Sequence, residues 1–298
     1  MTDQPAVLCI GALLWDVIGQ SFGAMAPGAD MPGSIAQLPG GVAFNVANSL
    51  TGLGQPAELL AAIGCDGAGD VLIEEASRLG IGTGHIHRNA SMSSDCYVAI
   101  EGPQGLFAAV ADARCLETAG VQVLAPLRDG RLGSAAAPFA GRIMLDGNLT
   151  TAVLADIVQD PCFAAAELRV VPASPQKADR LLPLFARPGT CFYLNREEAE
   201  VLAGTDSTDS LTAAQAVIAR GAERVIVTEG PNPVVDLRRG QPALTSCPPR
   251  VEILRTTGAG DRFVAAHLVA EMRGEAGQSA LDFAVAAAAA LVSGQVAQ

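Results

Sequence analysis

Short apolar runs recur along this chain, at residues 6–10, 59–63, 142–145, 168–171, 191–194 and 225–227. Stretches with helical spacing, most of them alanine-rich, separate them, at 42–53, 69–79, 178–185, 197–203 and 211–220. Uninterrupted apolar runs of this length suit strands buried on both faces, and a helix after each strand returns the chain for a parallel neighbour. The pattern predicts an α/β fold in three layers, with helices on both faces of a mainly parallel sheet. Ligands bind such sheets at the carboxyl ends of their strands.

Two stretches break the alternation. Residues 20–39 carry Pro27, Gly28, Pro32, Gly33 and Pro39, and residues 91–115 place Tyr97 and Ala99, then Leu106, Ala108 and Val110, around a Gly102–Gly105 turn. Period-2 spacing around glycine is the pattern of hairpin strands. Both stretches are expected to form a small β lid, inserted at about 13–39 and 88–115 into a single domain spanning 1–298. At 298 residues and 50% apolar, the chain can bury a sizeable core.

The net charge of −12 argues against a nucleic-acid surface, which needs clustered Lys and Arg to displace counterions. An anionic ligand would need a local positive field. Seven cysteines without a C-x-x-C pair suggest neither a disulfide framework nor a zinc site, and buried reduced thiols are expected. The longest apolar run, 283–292, is too short to span a bilayer, and no basic region precedes an apolar N-terminal stretch. A cytoplasmic protein is the expectation, with no membrane partner.

Residues 255–263 read Arg-Thr-Thr-Gly-Ala-Gly-Asp-Arg-Phe, followed by apolar residues at helical spacing. Gly258 and Gly260 let the backbone bend and turn successive N–H groups toward an anion at a helix N-terminus. Asp261 has two readings at this stage, a helix N-cap or a general base facing that anion. Gly40-Gly41-Val-Ala-Phe-Asn45 precedes another helix; it is a tight turn with a cap or, with Asp16 after the first strand, a set of groups for sugar hydroxyls. Asn195 and Glu198 follow a strand and are either a helix start or a pair that organises water around Mg²⁺. Thr228 and Gly230 follow another strand, as nucleotide contacts or a plain turn. Asp146-Gly-Asn148 is a further polar cluster at a strand end. His85, His87 and His267 have the spacing of neither a zinc site nor a catalytic triad. Neither a dinucleotide-binding Gly-x-Gly-x-x-Gly after the first strand nor a P-loop is present.

Taken in order, Gly-Gly-x-x-x-Asn, Asn-x-x-Glu, Thr-x-Gly and Gly-Ala-Gly-Asp resemble the PfkB/ribokinase family of carbohydrate and nucleoside kinases over nearly the whole chain. The resemblance implies the ribokinase-like three-layer fold, ATP and Mg²⁺ as cofactors, and a small-molecule sugar or nucleoside as substrate. It implies Asp261 as catalytic base and Gly258, Ala259 and Gly260 as the anion hole. Asn195 and Glu198 would serve Mg²⁺ and the phosphates, and Thr228, Gly230, Asn148 and Thr257 the nucleotide side. Asp16, Gly40, Gly41 and Asn45 would hold the sugar. A narrower resemblance to pseudouridine kinases lies in 97–112, in Leu145-Asp-Gly-Asn-Leu149 and in Pro172-Ala-Ser-Pro-Gln-Lys-Ala178. It adds Tyr97 and Asp112 to the substrate side and implies the 5′-hydroxyl of a C-nucleoside as acceptor.

Three positions depart from the family pattern. Arg255 stands where an acidic or amide residue usually lies beside a monovalent-cation site, so a fixed guanidinium replaces or blocks that cation. Pro233 replaces a glycine of the nucleotide loop, and Val285 an asparagine of the late helix. They keep open a rival, a ligand-binding protein of the same fold without turnover. A lid with an open edge would also suit pairing of two subunits.

Overall fold

A computed structural model of the chain describes residues 6–296. After β1 (Val7–Ile10) the chain leaves the central layer to form β2 (Leu14–Ser21) and β3 (Gly33–Gly40), then returns through α1 (Val42–Gly52) to β4 (Ala57–Leu60). β5 (Ala62–Gly64), α2 (Gly67–Arg78) and β6 (His87–Asn89) lead to a second excursion, β7 (Cys96–Gly102) and β8 (Gly105–Asp112). Helix α3 (Arg114–Ala119) brings the chain back to β9 (Arg142–Asp146), α4 (Thr151–Gln159) and β10 (Glu167–Val171). A 3₁₀ segment (Pro175–Ala186), β11 (Cys191–Asn195), α5 (Arg196–Ala203) and α6 (Ser210–Arg220) follow. β12 (Arg224–Glu229), β13 (Asn232–Arg238), β14 (Leu244–Ser246), α7 (Ala259–Met272) and α8 (Gln278–Val292) complete the order.

The central sheet has the order β14-β13-β12-β11-β10-β9-β1-β4, parallel from β12 to β4 and antiparallel at β13 and β14. Side-chain alternation explains why both faces are covered. Leu8, Ile10, Ile143 and Leu145 belong to one buried cluster, and Val7, Cys9 and Met144 to the other. Helices α1, α2, α7 and α8 cover the second face, and α4, α5 and α6 the first.

Several local expectations are corrected. The stretch 178–185 is part of the 3₁₀ segment rather than an α-helix, because Pro183 within it has no N–H for an i→i−4 bond. The run 59–63 is divided, its first part pairing with β1 and its second with β6. All seven cysteines are unpaired, yet Cys65 and Cys247 are exposed. No helix among the described residues is long and apolar enough to cross a membrane.

A second sheet, β3-β2-β7-β8, stands apart from the central one where a lid was expected, and its register sets Asp16 beside Leu38 and Tyr97. β3 and β8 are its edges. Ile35 (80% exposed), Val110 (72%) and Leu106 (60%) stand in solvent on this sheet, an unusual amount of apolar surface for such a small element.

Helix α7 matters most for the site, and it is buried without a break from Arg262 to Ala270. Its far half is pinned by a polar network. Tyr193 Oη lies 2.9 Å from His267 Nδ1, and Phe263 stacks on the His267 ring. Glu271 accepts hydrogen bonds from Arg224 (2.6 Å) and Arg169 (2.9 Å). Burial pushes His267 down to about 4, so the ring is neutral at pH 7. Burial opposes ionisation of Glu271, but the Arg224 and Arg169 guanidiniums hold its carboxyl at about 2. A buried pair stripped of one partner costs roughly 3–5 kcal/mol, so this end of α7 has little freedom to slide.

Candidate active site

Strands β1, β9, β10, β11 and β12 are parallel, so their carboxyl ends open on one edge, and α1 and α7 begin over it side by side. At that edge Asp146, the last residue of β9, has no exposed surface. Its Oδ2 accepts from the N–H of Ala12 (2.9 Å), the N–H of Ala43 (3.1 Å) and Asn148 Nδ2 (3.2 Å), and its Oδ1 accepts from the N–H of Asn148 (2.9 Å). One carboxylate thereby ties together the exit of β1, the first turn of α1 and the loop after β9. The sequence marked this residue only as part of a polar cluster.

The Asp16 carboxylate packs against Gly40, where a Cβ would displace it. Asp16 is therefore held over the start of α1, where Gly41 adopts φ +100 and caps the helix. Burial raises the Asp16 carboxyl to about 6. One turn into α1, Asn45 Nδ2 donates to Asp261 Oδ2 at 2.9 Å, joining residues 216 positions apart.

That bond decides between the two readings of Asp261. The N-cap of α7 is Gly258, in the left-handed region at φ +80, and Asp261 is the third helical residue, with no side-chain bond to the helix backbone. Its carboxylate instead accepts from Asn45 on α1. Burial pushes its pKa up; the Asn45 bond opposes this, and Asp146 and Asp16 add repulsion, so it stands at about 7. In the turn itself the Ala259 N–H is engaged by Thr256 O (3.2 Å), while the next N–H groups have no preceding helical carbonyl to bond. A Cβ on Gly260 would meet no protein atom within 4 Å, which leaves the space in front of the turn open for an anion.

A cleft of about 840 Å³ runs outward from this turn, between the β12–β13 loop and α8. Thr228, Gly230, Ala259 and Gly260 line it, as the sequence suggested, together with Phe263 and Thr256. Its opposite wall includes Val285, where the family pattern has an asparagine, together with Ala288, Ala289 and Val292 on α8, which the sequence did not single out. Slots of this size and apolarity suit a planar ligand.

The other predicted residues divide. Asn195 and Glu198 form a capping box at the start of α5, each side chain accepting from the other's backbone N–H (2.9 and 2.8 Å). The helix-start reading is thus realised. Burial pushes Glu198 up to about 7 against its Asn195 bond, with Asp261 adding to the rise. The donor set, a carboxylate and an amide oxygen, is of the hard kind that suits Mg²⁺. No cluster of three or more acidic, histidine or cysteine ligands exists among the described residues, so such an ion would rest mainly on phosphates and water. Tyr97 shares the lid row of Asp16, and burial and that carboxylate raise its phenol. Asp112 is not brought to this group: Arg114 pairs with it at 2.7 Å and holds it at about 2. Asn148 is turned inward to Asp146, Lys177 and Arg180, away from the cleft lining. Thr257 is exposed, and its neighbour Thr256 lines the cleft. Arg255 does not face the turn. Its guanidinium donates to the carbonyls of Leu291 (3.3 Å) and Val296 (3.0 Å) at the end of α8.

Comparison with known proteins bears on the family and the fold. A family model described as pfkB family carbohydrate kinase matches residues 4–298. Among curated proteins the chain is 28% identical over 297 residues to the uncharacterised sugar kinase YeiI of Escherichia coli K12, covering 97% of this chain and 78% of that one. It is 26% identical over 269 residues to the pseudouridine kinase of the same organism, covering 89% and 83%. Among solved structures, a carbohydrate kinase from Agrobacterium tumefaciens superposes with TM-score 0.80 at 26% identity, covering 99% and 94%. Arabidopsis thaliana ribokinase complexed with ribose and ATP superposes with TM-score 0.79 at 19% identity, over 99% and 94%.

The raised carboxyl of Asp261 carries a stability consequence. A folded pKa near 7 against an unfolded value near 3.9 means that the native state binds the proton more tightly. Stability is therefore lost as pH rises through 7 and regained as it falls toward 4. Asp261→Asn keeps an acceptor for Asn45 and removes the charge. In thermal unfolding of the ligand-free protein, the variant should melt roughly 2–4 °C higher than the parent at pH 8, with the gap narrowing at pH 5. A variant less stable at pH 8, or a gap independent of pH, contradicts this account.

Proposed function

The chain belongs to the pfkB family of carbohydrate kinases, phosphotransferases that act on sugar or nucleoside hydroxyls, and we propose that it transfers the γ-phosphoryl group of ATP to such an acceptor, with the 5′-hydroxyl of pseudouridine as the best-fitting one. The hydrogen bond from Asn45 to Asp261 carries this reading, because it sets a carboxylate of pKa about 7 beside an open anion turn. A base titrating near neutrality can take a proton at working pH and return it afterwards.

Asp16 orients the acceptor from the lid side, and Asn45 holds Asp261 so that one carboxylate oxygen faces the reacting hydroxyl. Asp261 accepts the hydroxyl proton as the oxygen bonds to the γ-phosphorus and the bond to the β-phosphate oxygen breaks, releasing ADP. The N–H groups of Gly260 and Asp261 offset charge on the transferring group, and positioning supplies most of the remaining acceleration. Asn195 and Glu198 would hold Mg²⁺ through water, and the ion would supply positive charge to the phosphates. The apolar α8 wall takes the nucleotide base, and the lid excludes water from the acceptor. The pseudouridine assignment rests on the three sequence stretches that resemble pseudouridine kinases and on the 26% identical relative. The 28% identical relative, described as a sugar kinase, favours a second reading with a simple sugar as acceptor.

Coupled ADP release with Mg-ATP against pseudouridine, uridine, adenosine, ribose and fructose tests the function. Turnover confined to pseudouridine is expected; turnover on ribose or fructose instead would transfer the assignment to the second reading. With the active acceptor, Asp261→Asn should lower kcat by a factor on the order of 10²–10⁴ with little effect on ATP binding, and a near-parental kcat removes Asp261 from the base role.

We also propose that Arg255 makes a monovalent cation unnecessary. Its guanidinium already places positive charge on the carbonyls that end α8. Rates in a tetramethylammonium buffer should lie within about twofold of those with added K⁺, and activation of about tenfold or more would overturn this.

For the lid, we propose a second copy of the chain as partner. Two unpaired edges and exposed Ile35, Leu106 and Val110 form a surface suited to symmetric pairing. Light scattering should give a dimer mass, and a monomer at assay concentration would discard the pairing.

A further inference from the structure

Of the 19 basic side chains in this chain, 18 are arginine and one, Lys177, is lysine. The two differ physically. A guanidinium is planar and binds with a fixed fork, whereas an ammonium is a compact point charge with three freely rotating donors. Where every other cation is an arginine, the location of the single ammonium is informative.

Lys177 lies in the 3₁₀ segment that follows β10. In the sheet, β10 stands between β9 and β11, and all three are parallel. The loop after β9 holds Asp146 and Asn148 on the side of Asp16 and Asn45, and the end of β11 holds Asn195 and Glu198 on the side of the nucleotide cleft. The segment carrying Lys177 therefore leaves the sheet between these two strand ends. The loops are pressed together there: the Gly147 N–H donates to Val171 O at 2.9 Å, and a Cβ on Gly147 would lie 3.0 Å from the Ala173 nitrogen.

The ammonium is placed before any ligand arrives. Lys177 Nζ donates to Asn148 Oδ1 at 2.6 Å. The Asn148 amide cannot turn, since its Nδ2 is bound to Asp146, and its backbone carbonyl is held by Arg180. One of the three ammonium donors is thereby used, and Lys177 has no carboxylate at ion-pair distance among the described residues. Nearby cations differ: Arg180 pairs with Glu117, and Arg196 with Glu229 and Glu200. Burial, helped by Arg180, lowers the Lys177 pKa, and the carboxylates of Asp146, Glu117 and Asp95, none within ion-pair distance, oppose this without overcoming it.

We propose that Lys177 is a catalytic residue whose Nζ binds a peripheral oxygen of the phosphoryl group during its passage from nucleotide to acceptor. This deepens the kinase reading and rests on it. A rotating ammonium with two donors in hand can follow the group as it moves between oxygens, which a rigid fork cannot do without losing Asn148. It also supplies the local positive field that a chain of net charge −12 needs at such a site.

Lys177→Met should lower kcat by about 10²–10³-fold while the acceptor KM changes by less than about threefold. Lys177→Gln, which can still donate to Asn148, should be impaired to a similar degree. A Gln variant within about threefold of the parental kcat would mean that the residue only braces Asn148, and would overturn the proposal. Because the chain has one lysine, a second test needs no variant. Brief acetylation by sulfo-N-hydroxysuccinimide acetate, read by mass spectrometry of the peptide containing Lys177, should be suppressed by Mg²⁺ with β,γ-imido-ATP. Equal labelling with and without that analogue would also overturn the proposal. If no acceptor on the panel turns over, the kinase reading is what fails. Protection then still reports whether Lys177 meets the terminal phosphate, and its absence overturns the assignment independently.

Discussion

Asp146 is the constraint on which the rest of this site depends. A carboxylate without exposed surface is costly unless donors surround it, and here four do, from β1's exit, α1's first turn and the loop after β9. Each donor belongs to a segment that carries a functional group onward. The strand leaving Ala12 leads to Asp16, the helix starting at Ala43 carries Asn45, and Asn148 holds Lys177. These side chains are thus placed relative to one buried anion rather than separately, which limits how far any of them can drift.

The same arrangement accumulates negative charge. Asp16, Asp146, Asp261 and Glu198 gather at one edge; burial raises all four, and repulsion from neighbouring carboxylates adds to the rise at Asp261 and Glu198. Stability is given up locally to keep Asp261 a base of pKa about 7, and it is recovered at the far end of α7. There Arg169, Arg224, Asp236 and Glu271 form a compensated network around a neutral His267. A helix rigid at its C-terminal half can carry a poorly solvated carboxylate at its N-terminal turn without shifting to relieve it.

Much of the architecture was legible because it rests on local patterning. Continuous apolar runs produced the strands at 142–146 and 191–195, and the anion turn was recognisable from two glycines before an amphipathic run. The misreadings arose where local patterns were ambiguous. Residues 178–185 have helical spacing, but Pro183 turns that stretch into 3₁₀ structure. Asp112 looked like a substrate ligand, and the neighbouring Arg114 takes its charge. Ala288 and Ala289 drew no notice because an apolar ligand wall and a buried helix face have the same composition. For Asn195 and Glu198, the capping box is a local bond pattern that the sequence could offer only as one of two readings.

By itself the sequence determined the layer order, the strand ends at which polar residues would collect, and the turn that exposes backbone N–H groups, since all of these follow from side-chain period and glycine stereochemistry within a few residues. Tertiary structure alone decided that Asp261 bonds to α1 rather than caps its own helix, because the deciding partner, Asn45, lies 216 residues away. It alone brought Asp146 to Ala12 and Ala43, 134 and 103 residues distant, and so raised the pKa of the base through charges that no local window contains. Coulomb interaction and desolvation depend on distance in space, and only the closed fold sets those distances.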